Sequence, residues 1–440
     1  MSANLAKIGS DCGAPPPEAA IPGLCSVVQR TEVGRVPNRG STVAQLGVLF
    51  VHFINHNNTE ERKGRRHMTI INRSDIYDKN LNFLIGSGAS VGLFPTLQLG
   101  VKNSTTSESH TLETLAKHFE NDDDVLCLLF SYYVENVIAP ASRFSVNASL
   151  NKDQKKTLSN YVRFLATILS LIIKKGGIKK ANIFTTNYDG IIAHVAERMI
   201  ASGRYDFILN DGATGFIKRT LQTRSFNRFW RDQGSFDQHE ISVPQINLIQ
   251  PHGSVYWYKD EDEIEVSYDT DRAEIRANNV PTHMDPAFEA IMQDPSFDES
   301  EISSRSFSVP PADITEFWKT YRELPVVNPT KWKFHETVFE EHYYQALRIL
   351  SYELEKPNTV FIIFGFSFSD EHILSLVKRS LSNPTLKIYL CCYSDKTRDE
   401  MESKFSAFDN VTLVRTTGAL DFEAFNDEVF TASAPSGAGS

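Results

Sequence analysis

Short apolar runs that stop in small or polar residues recur through the middle and end of this chain. Phe83-Leu84-Ile85 runs into Gly86-Ser87-Gly88-Ala89-Ser90, Ile183 to Thr186 into Asn187-Tyr188-Asp189, and Asn247-Leu248-Ile249 into Gln250-Pro251-His252-Gly253-Ser254. Val360 to Phe364 meets Gly365-Phe366-Ser367, and Leu386 to Cys391 meets Cys392-Tyr393-Ser394-Asp395. Apolar runs this short, bounded by turn residues and usually followed by a segment at helical spacing, predict buried strands alternating with helices. The expected fold class is α/β with a Rossmann-like parallel sheet. In such a sheet the polar clusters gather at the C-terminal strand ends, where open α/β folds take ligands.

Between the first two runs, Leu112 to Ile138 and Leu158 to Lys175 carry apolar residues at helical spacing, which predicts a helical subdomain inserted over about 105–178. Glu261 to Ser308 is acidic and turn-rich with one helix-like piece around Pro286 to Met292, and reads as part of a surface insertion over about 260–325. Lys218 to Arg231 mixes basic residues with Phe226, Phe229 and Trp230 and reads as an amphipathic helix with a solvated basic face. Thr337 to Leu354 predicts another helix and Phe422 to Phe430 a short closing one. Residues 1–80 form an N-terminal extension, a packing or oligomerisation arm whose Val43, Leu46, Leu49, Phe50 and Phe53 make an apolar stripe ahead of a basic loop at Arg62 to Arg66. The main domain then spans 81–430, and 431–440 is a flexible tail.

Composition narrows the classes. The chain has 440 residues, 41% of them hydrophobic, enough for a large core, and a net charge of -10 that argues against direct nucleic-acid binding. The longest greasy run, Val43 to Ile54, is too short to span a bilayer, so no membrane partner is expected. Five cysteines, at 12, 25, 127, 391 and 392, contain no C-x-x-C pair. Neither a disulfide framework nor a zinc module is expected, no metal is expected, and a reducing cytoplasm fits.

The strand-end clusters carry the candidate chemistry. Along an extended chain Asn187 and Asp189 fall on one face with Tyr188 on the other, so an amide and a carboxylate can address one ligand; the same residues also cap helices. Gly86-x-Gly88-x-Ser90 supplies either a plain tight turn or a close backbone approach for a phosphate. His252 is either a structural histidine or a base of near-neutral pKa. Asp370 and Glu371 are explained by capping the helix that follows them.

Taken together the clusters resemble the sirtuin superfamily, whose members carry G-A-G-x-S, T-Q-N-x-D, H-G and G-T-S in this order. The counterparts are Gly86-Ser87-Gly88-Ala89-Ser90, Thr185-Thr186-Asn187-Tyr188-Asp189, His252-Gly253 and Gly365-Phe366-Ser367, over roughly residues 81–400. The two cysteine pairs of the deacylases are absent, and Phe94-Pro95-Thr96-Leu97 stands where they carry D-F-R. The chain is more similar to the bacterial sirtuin-like proteins of anti-phage defence, including the branch that assembles with a HerA-type hexameric ATPase, above all in Gly365-Phe366-Ser367-Phe368-Ser369-Asp370-Glu371-His372-Ile373.

That resemblance implies an NAD+ glycohydrolase that cleaves the nicotinamide-ribose bond and depletes the cofactor, with a homo-oligomer and a HerA-type ATPase as expected partners. It implies Asn187, Asp189 and His252 as catalytic residues. Asn187 would hold water or a ribose hydroxyl, Asp189 would orient the nicotinamide ribose or carboxamide, and His252 would act as base. Gly86, Ser87, Gly88, Ala89, Ser90 and Thr186 would bind NAD around its pyrophosphate, and Gly365 and Ser367 would line its adenosine side. Two other readings stay open: an NAD-dependent protein deacylase, and a non-catalytic NAD or ADP-ribose sensor that regulates a partner ATPase.

Overall fold

In the computed structural model, residues 71–431 are described apart from 72, 234–239 and 327–336. The stripe at Val43 to Phe53, the basic loop at Arg62 to Arg66 and the tail after 431 lie outside the described residues. The centre is a seven-stranded parallel sheet. Its strands are β1 (Asn80–Ile85), β2 (Lys180–Thr185), β3 (Ile208–Asn210), β4 (Gln245–Ile249), β5 (Thr359–Phe364), β6 (Lys387–Cys391) and β7 (Val411–Val414), in the spatial order β7-β6-β5-β1-β2-β4-β3. The strand order reverses beside β1, between β1 and β5, the kind of position where an open sheet leaves a crevice at its C-terminal edge.

Both faces of this sheet are covered, which is why its strands are apolar runs. Phe83, Ile85, Ile183, Ile362 and Phe364 point to one side. There they meet α2 (Lys152–Ile172), α3 (Ile191–Ala201) and the closing turns Phe422–Val429. Leu84, Phe184, Phe361 and Ile363 point to the other, against α4 (Thr337–Glu355), α5 (Glu371–Ser380) and α6 (Asp395–Phe405). Phe83, Phe184 and Phe361 are fully buried, and truncating any of them to alanine would cost about 3–5 kcal/mol.

The second face also carries a row of amides. Asn82, Asn182 and Asn247 stand in register on β1, β2 and β4, with Asn210 next on β3. Asn182 Nδ2 donates to Asn82 Oδ1 at 2.7 Å, Asn247 Nδ2 to Asn182 Oδ1 at 2.8 Å, and Asn210 Nδ2 to Asn247 Oδ1 at 2.9 Å. Asn82 closes one end on the Asn80 carbonyl, and Asn247 adds the Phe226 carbonyl. The first three residues are almost fully buried, so each amide would be expensive to leave unpaired.

A second core lies in a helical layer. It is built from Leu112–His118 and α1 (Asp123–Tyr133), which continues as a wider turn to Ile138. The run Asp123–Ser142 is long and apolar enough to cross a membrane, but 67% of its most apolar window is buried inside the protein, as in a core helix. The acidic segment after Glu261 departs from its expected form. It contains helices Thr270–Asn278, Pro286–Gln293 and Glu299–Ser304, whose Ala273, Phe288, Ile291 and Ile302 share the core of the layer. Their first turns are capped by Asp269, Asp285 and Asp298, so the acidic residues that read as loop are helix starts. Lys218 to Arg231 is not the expected helix but a short strand at Thr220–Leu221, a tight turn over Thr223–Asn227 and an extended tail. Phe226 is buried under the amide row, whereas Trp230 is exposed.

Candidate functional site

The loop after β1 is fixed by backbone packing. Gly86 N–H donates to Phe364 O at 3.0 Å and Gly88 N–H to Gly365 O at 3.1 Å, which joins it to the loop after β5. A Cβ on Gly86 would collide with the Gly365 carbonyl, and one on Gly88 would lie 2.7 Å from Gly365 Cα. Gly365 itself sits at φ 66, in the left-handed region. These three glycines therefore let two strand-end loops touch at the switch point, whatever else they do. Ala89 packs its side chain into the core, and its N–H is taken by Gly86 O.

Ser90 joins this loop to the one after β2. Its hydroxyl donates to Asp189 Oδ2 at 2.9 Å, so its two lone pairs are left for Asn187 Nδ2 at 3.1 Å and the Tyr161 hydroxyl at 2.9 Å. Ser90 is thereby saturated. Asp189 Oδ1 accepts the Ile191 N–H at the start of α3, so this carboxylate both caps a helix and faces Ser90. Burial pushes its carboxyl above the usual range, against the opposing pull of the Ile191 N–H, Ser90 and Asn187. Asn187 is 7% exposed, and its Oδ1 has no hydrogen-bond partner. Tyr188 turns the other way and meets Tyr133 of the helical layer at 6.3 Å between ring centroids.

The loop after β4 is laced to the same stretch. Gln250 Nε2 reaches the Asp189 carbonyl at 3.4 Å, Ser254 Oγ the Tyr188 carbonyl at 3.3 Å, and Val255 N–H the same carbonyl at 3.0 Å. Gly253, at φ 84, carries the turn beneath Pro325 and Val326, where a Cβ would collide with the Pro325 carbonyl. His252 Nε2 then lies 3.0 Å from Asp370 Oδ2, which reaches back to the loop after β5. The two side chains are 12% and 6% exposed.

Four strand-end loops are thus closed into a ring: β1 to β2 through Ser90, β2 to β4 through Gln250 and Ser254, β4 to β5 through His252 and Asp370, and β5 back to β1 through the glycines. The chemistry this supports is polar and charge-stabilising. It offers one open buried amide oxygen, one carboxylate of raised proton affinity and one carboxylate-paired imidazole.

No family model matches the chain, and none of the curated proteins matches it. Asn187, Asp189, Ser90 and His252 all fall on the ring. Gly86, Gly88 and Gly365 fall there for a packing reason. Ser87 is exposed, Thr186 sends its N–H to Ile85 O, and Ser367 is exposed with its hydroxyl 2.9 Å from Ser369. The fifth loop, after β6, stays off the ring. Ser394 caps α6, while Cys392 is buried with its thiol pushed up to about 12 by burial. Among the described residues no group of three or more His, Cys, Asp or Glu side chains is placed to hold a metal ion.

Three contributors were not apparent in the residue pattern. Tyr161 sits on the apolar face of α2 and reads as core. Gln250 looks like one more turn residue. Asp370 is read as a cap, which it is through Oδ1, but its second oxygen is spent on His252.

Proposed function

We propose that this chain is a sirtuin-like NAD+ glycohydrolase that lacks a zinc module and releases nicotinamide and ADP-ribose. The observation that carries the reading is the open Oδ1 of buried Asn187, held at the β2 end beside Asp189 and on the same loop ring as His252. An unpaired amide oxygen in a buried position costs about 1–3 kcal/mol, a cost that a bound hydroxyl or water removes. The order of the four motifs in the chain supports NAD as the ligand.

The reaction needs little acid catalysis, because nicotinamide leaves as a neutral ring from a cationic state. As the bond from C1′ of the ribose to nicotinamide breaks, its electron pair stays with the ring nitrogen, and positive charge builds on the ribose. Asn187 would hold the ribose hydroxyl or the attacking water, Asp189 would stabilise and orient the charged ribose, and His252 would take the proton from water as it bonds to C1′. The similarity to the defence branch extends the proposal to a cytoplasmic effector that depletes NAD, as a homo-oligomer and with a HerA-type ATPase.

The test is NAD consumption by the purified protein, alone, with a HerA-type hexameric ATPase, and with an acylated peptide. Nicotinamide release without peptide supports the proposal. Release only with peptide favours the deacylase reading, and tight NAD binding with no turnover in any mixture favours the sensor.

A further inference from the structure

We propose that Asp370 is a positioning residue for His252, setting its tautomer so that Nδ1 is the atom that receives the proton; this rests on the NAD-cleaving reading above. Capping α5 takes only one carboxylate oxygen, since Oδ1 accepts both the His372 N–H at 2.8 Å and the Ile373 N–H at 3.1 Å. Oδ2 faces the imidazole of a loop 118 residues away in sequence, at 3.0 Å from Nε2, and the Tyr343 hydroxyl also hydrogen-bonds to this carboxylate. An ionised carboxylate only accepts, so Nε2 carries the hydrogen, and in the neutral ring the lone pair sits on Nδ1. No hydrogen bond among the described residues engages Nδ1.

The surroundings hold this pair still. Gly253 is locked under Pro325 and Val326, and the Tyr343 ring of α4 stands 6.1 Å from the imidazole. The groups next to the pair are Tyr343 from α4 and Tyr188 from the loop after β2, and Tyr344 and the His372 ring in turn neighbour Tyr343. Burial first, and then the charge of Asp370, keeps the Tyr343 hydroxyl protonated well above its ordinary range, so it neighbours the pair as a neutral group. In the reaction, water gives its proton to Nδ1 as its oxygen bonds to C1′ of the ribose, and Asp370 stabilises the imidazolium so formed.

Asp370→Asn separates the two tasks of this side chain. Asparagine caps helices as well as aspartate does, so its oxygen keeps the α5 backbone. Its NH2 then faces Nε2, which must accept, and the hydrogen moves to Nδ1. Nicotinamide release by Asp370→Asn should fall about 10²–10⁴-fold in kcat with KM within about threefold, the acid limb of the pH profile should move, and Asp370→Glu should recover part of the rate. A readout independent of turnover is the ring 15N–1H correlation of His252, assigned by its loss in His252→Gln. Hydrogen on Nε2 in the wild type and on Nδ1 in Asp370→Asn supports the proposal. Hydrogen on Nδ1 in the wild type, or wild-type turnover by Asp370→Asn, overturns it and leaves Asp370 a helix cap. If the wild type releases no nicotinamide, the NAD reading fails by itself, and the ring signals alone decide for or against the positioning role.

Discussion

Asn182 and Asn187 are five positions apart on one strand and its loop, both are buried, and they are used in opposite ways. Asn182 sits mid-row with its Nδ2 on Asn82 and its Oδ1 filled by Asn247. Asn187 spends Nδ2 on Ser90 and leaves Oδ1 without a partner. A closed amide row holds four strands in register and offers nothing to a ligand. The amide at the strand end ties one loop to the next through Ser90 and leaves its own acceptor unmet. Burial of a polar residue therefore does not by itself single out a candidate site; Asn187 is singled out by an unmet oxygen within the ring of strand-end loops.

The pair can be broken apart by substitution. Asn187→Ala should lower nicotinamide release at least about 10³-fold, roughly 4 kcal/mol of transition-state stabilisation, while chemical denaturation shifts by no more than about 1 kcal/mol. Asn182→Leu should do the reverse. It strands Asn82 Oδ1 and leaves Asn247 Nδ2 with only the Phe226 carbonyl, so unfolding should be easier by about 2–4 kcal/mol, with turnover per folded molecule close to wild type. A large stability loss in the first variant, or a rate loss without a stability loss in the second, would dissolve the distinction.

A third buried polar group separates acid effects on the fold from those on the site. His342 of α4 packs edge-on against Trp257, and burial lowers its pKa to about 4. The folded-state pKa is depressed, so its contribution is whole above about pH 6.5 and is lost as pH falls toward 4, by about 3 kcal/mol in all. His342→Phe should flatten the fall in melting temperature across that window without moving the pH dependence of turnover. The slope persisting in the variant would place the acid sensitivity elsewhere.

The smallest effect belongs to the loop that resembles the others but lies off the ring. Ser394→Ala should cost about 1 kcal/mol through loss of the α6 cap, with no change in rate. A rate change there would mean that the ring extends to β6.

Much of this architecture was readable in the residues, and the failures have physical causes. β1, β2, β4, β5 and β6 announce themselves because they are buried on both faces. β3 is three residues long and β7 an edge strand that is mostly half-buried, so neither makes an apolar run. The amide row was missed because asparagine in isolation reads as a turn former; only in-register neighbours make it a strand residue. The acidic segment after Glu261 showed its helix at Pro286–Gln293 but hid those at Thr270–Asn278 and Glu299–Ser304, because each has only a narrow apolar face and its aspartate serves as a cap. At the site, Asn187 and Asp189 do lie opposite Tyr188 as alternation along an extended chain suggests, although the strand stops at Thr185 and all three sit in the loop after it. The pairing of His252 with Asp370 was not legible, since capping alone accounted for the aspartate and nothing local reports a partner 118 residues away.

The most direct test is a product analysis of NAD incubated with the protein, with and without a HerA-type ATPase, and with Asn187→Ala in parallel. The wild type is expected to give nicotinamide and ADP-ribose in equal amounts, and Asn187→Ala, equally folded, to leave NAD intact. Intact NAD with the wild type under every condition, or equal turnover by the variant, would contradict the account.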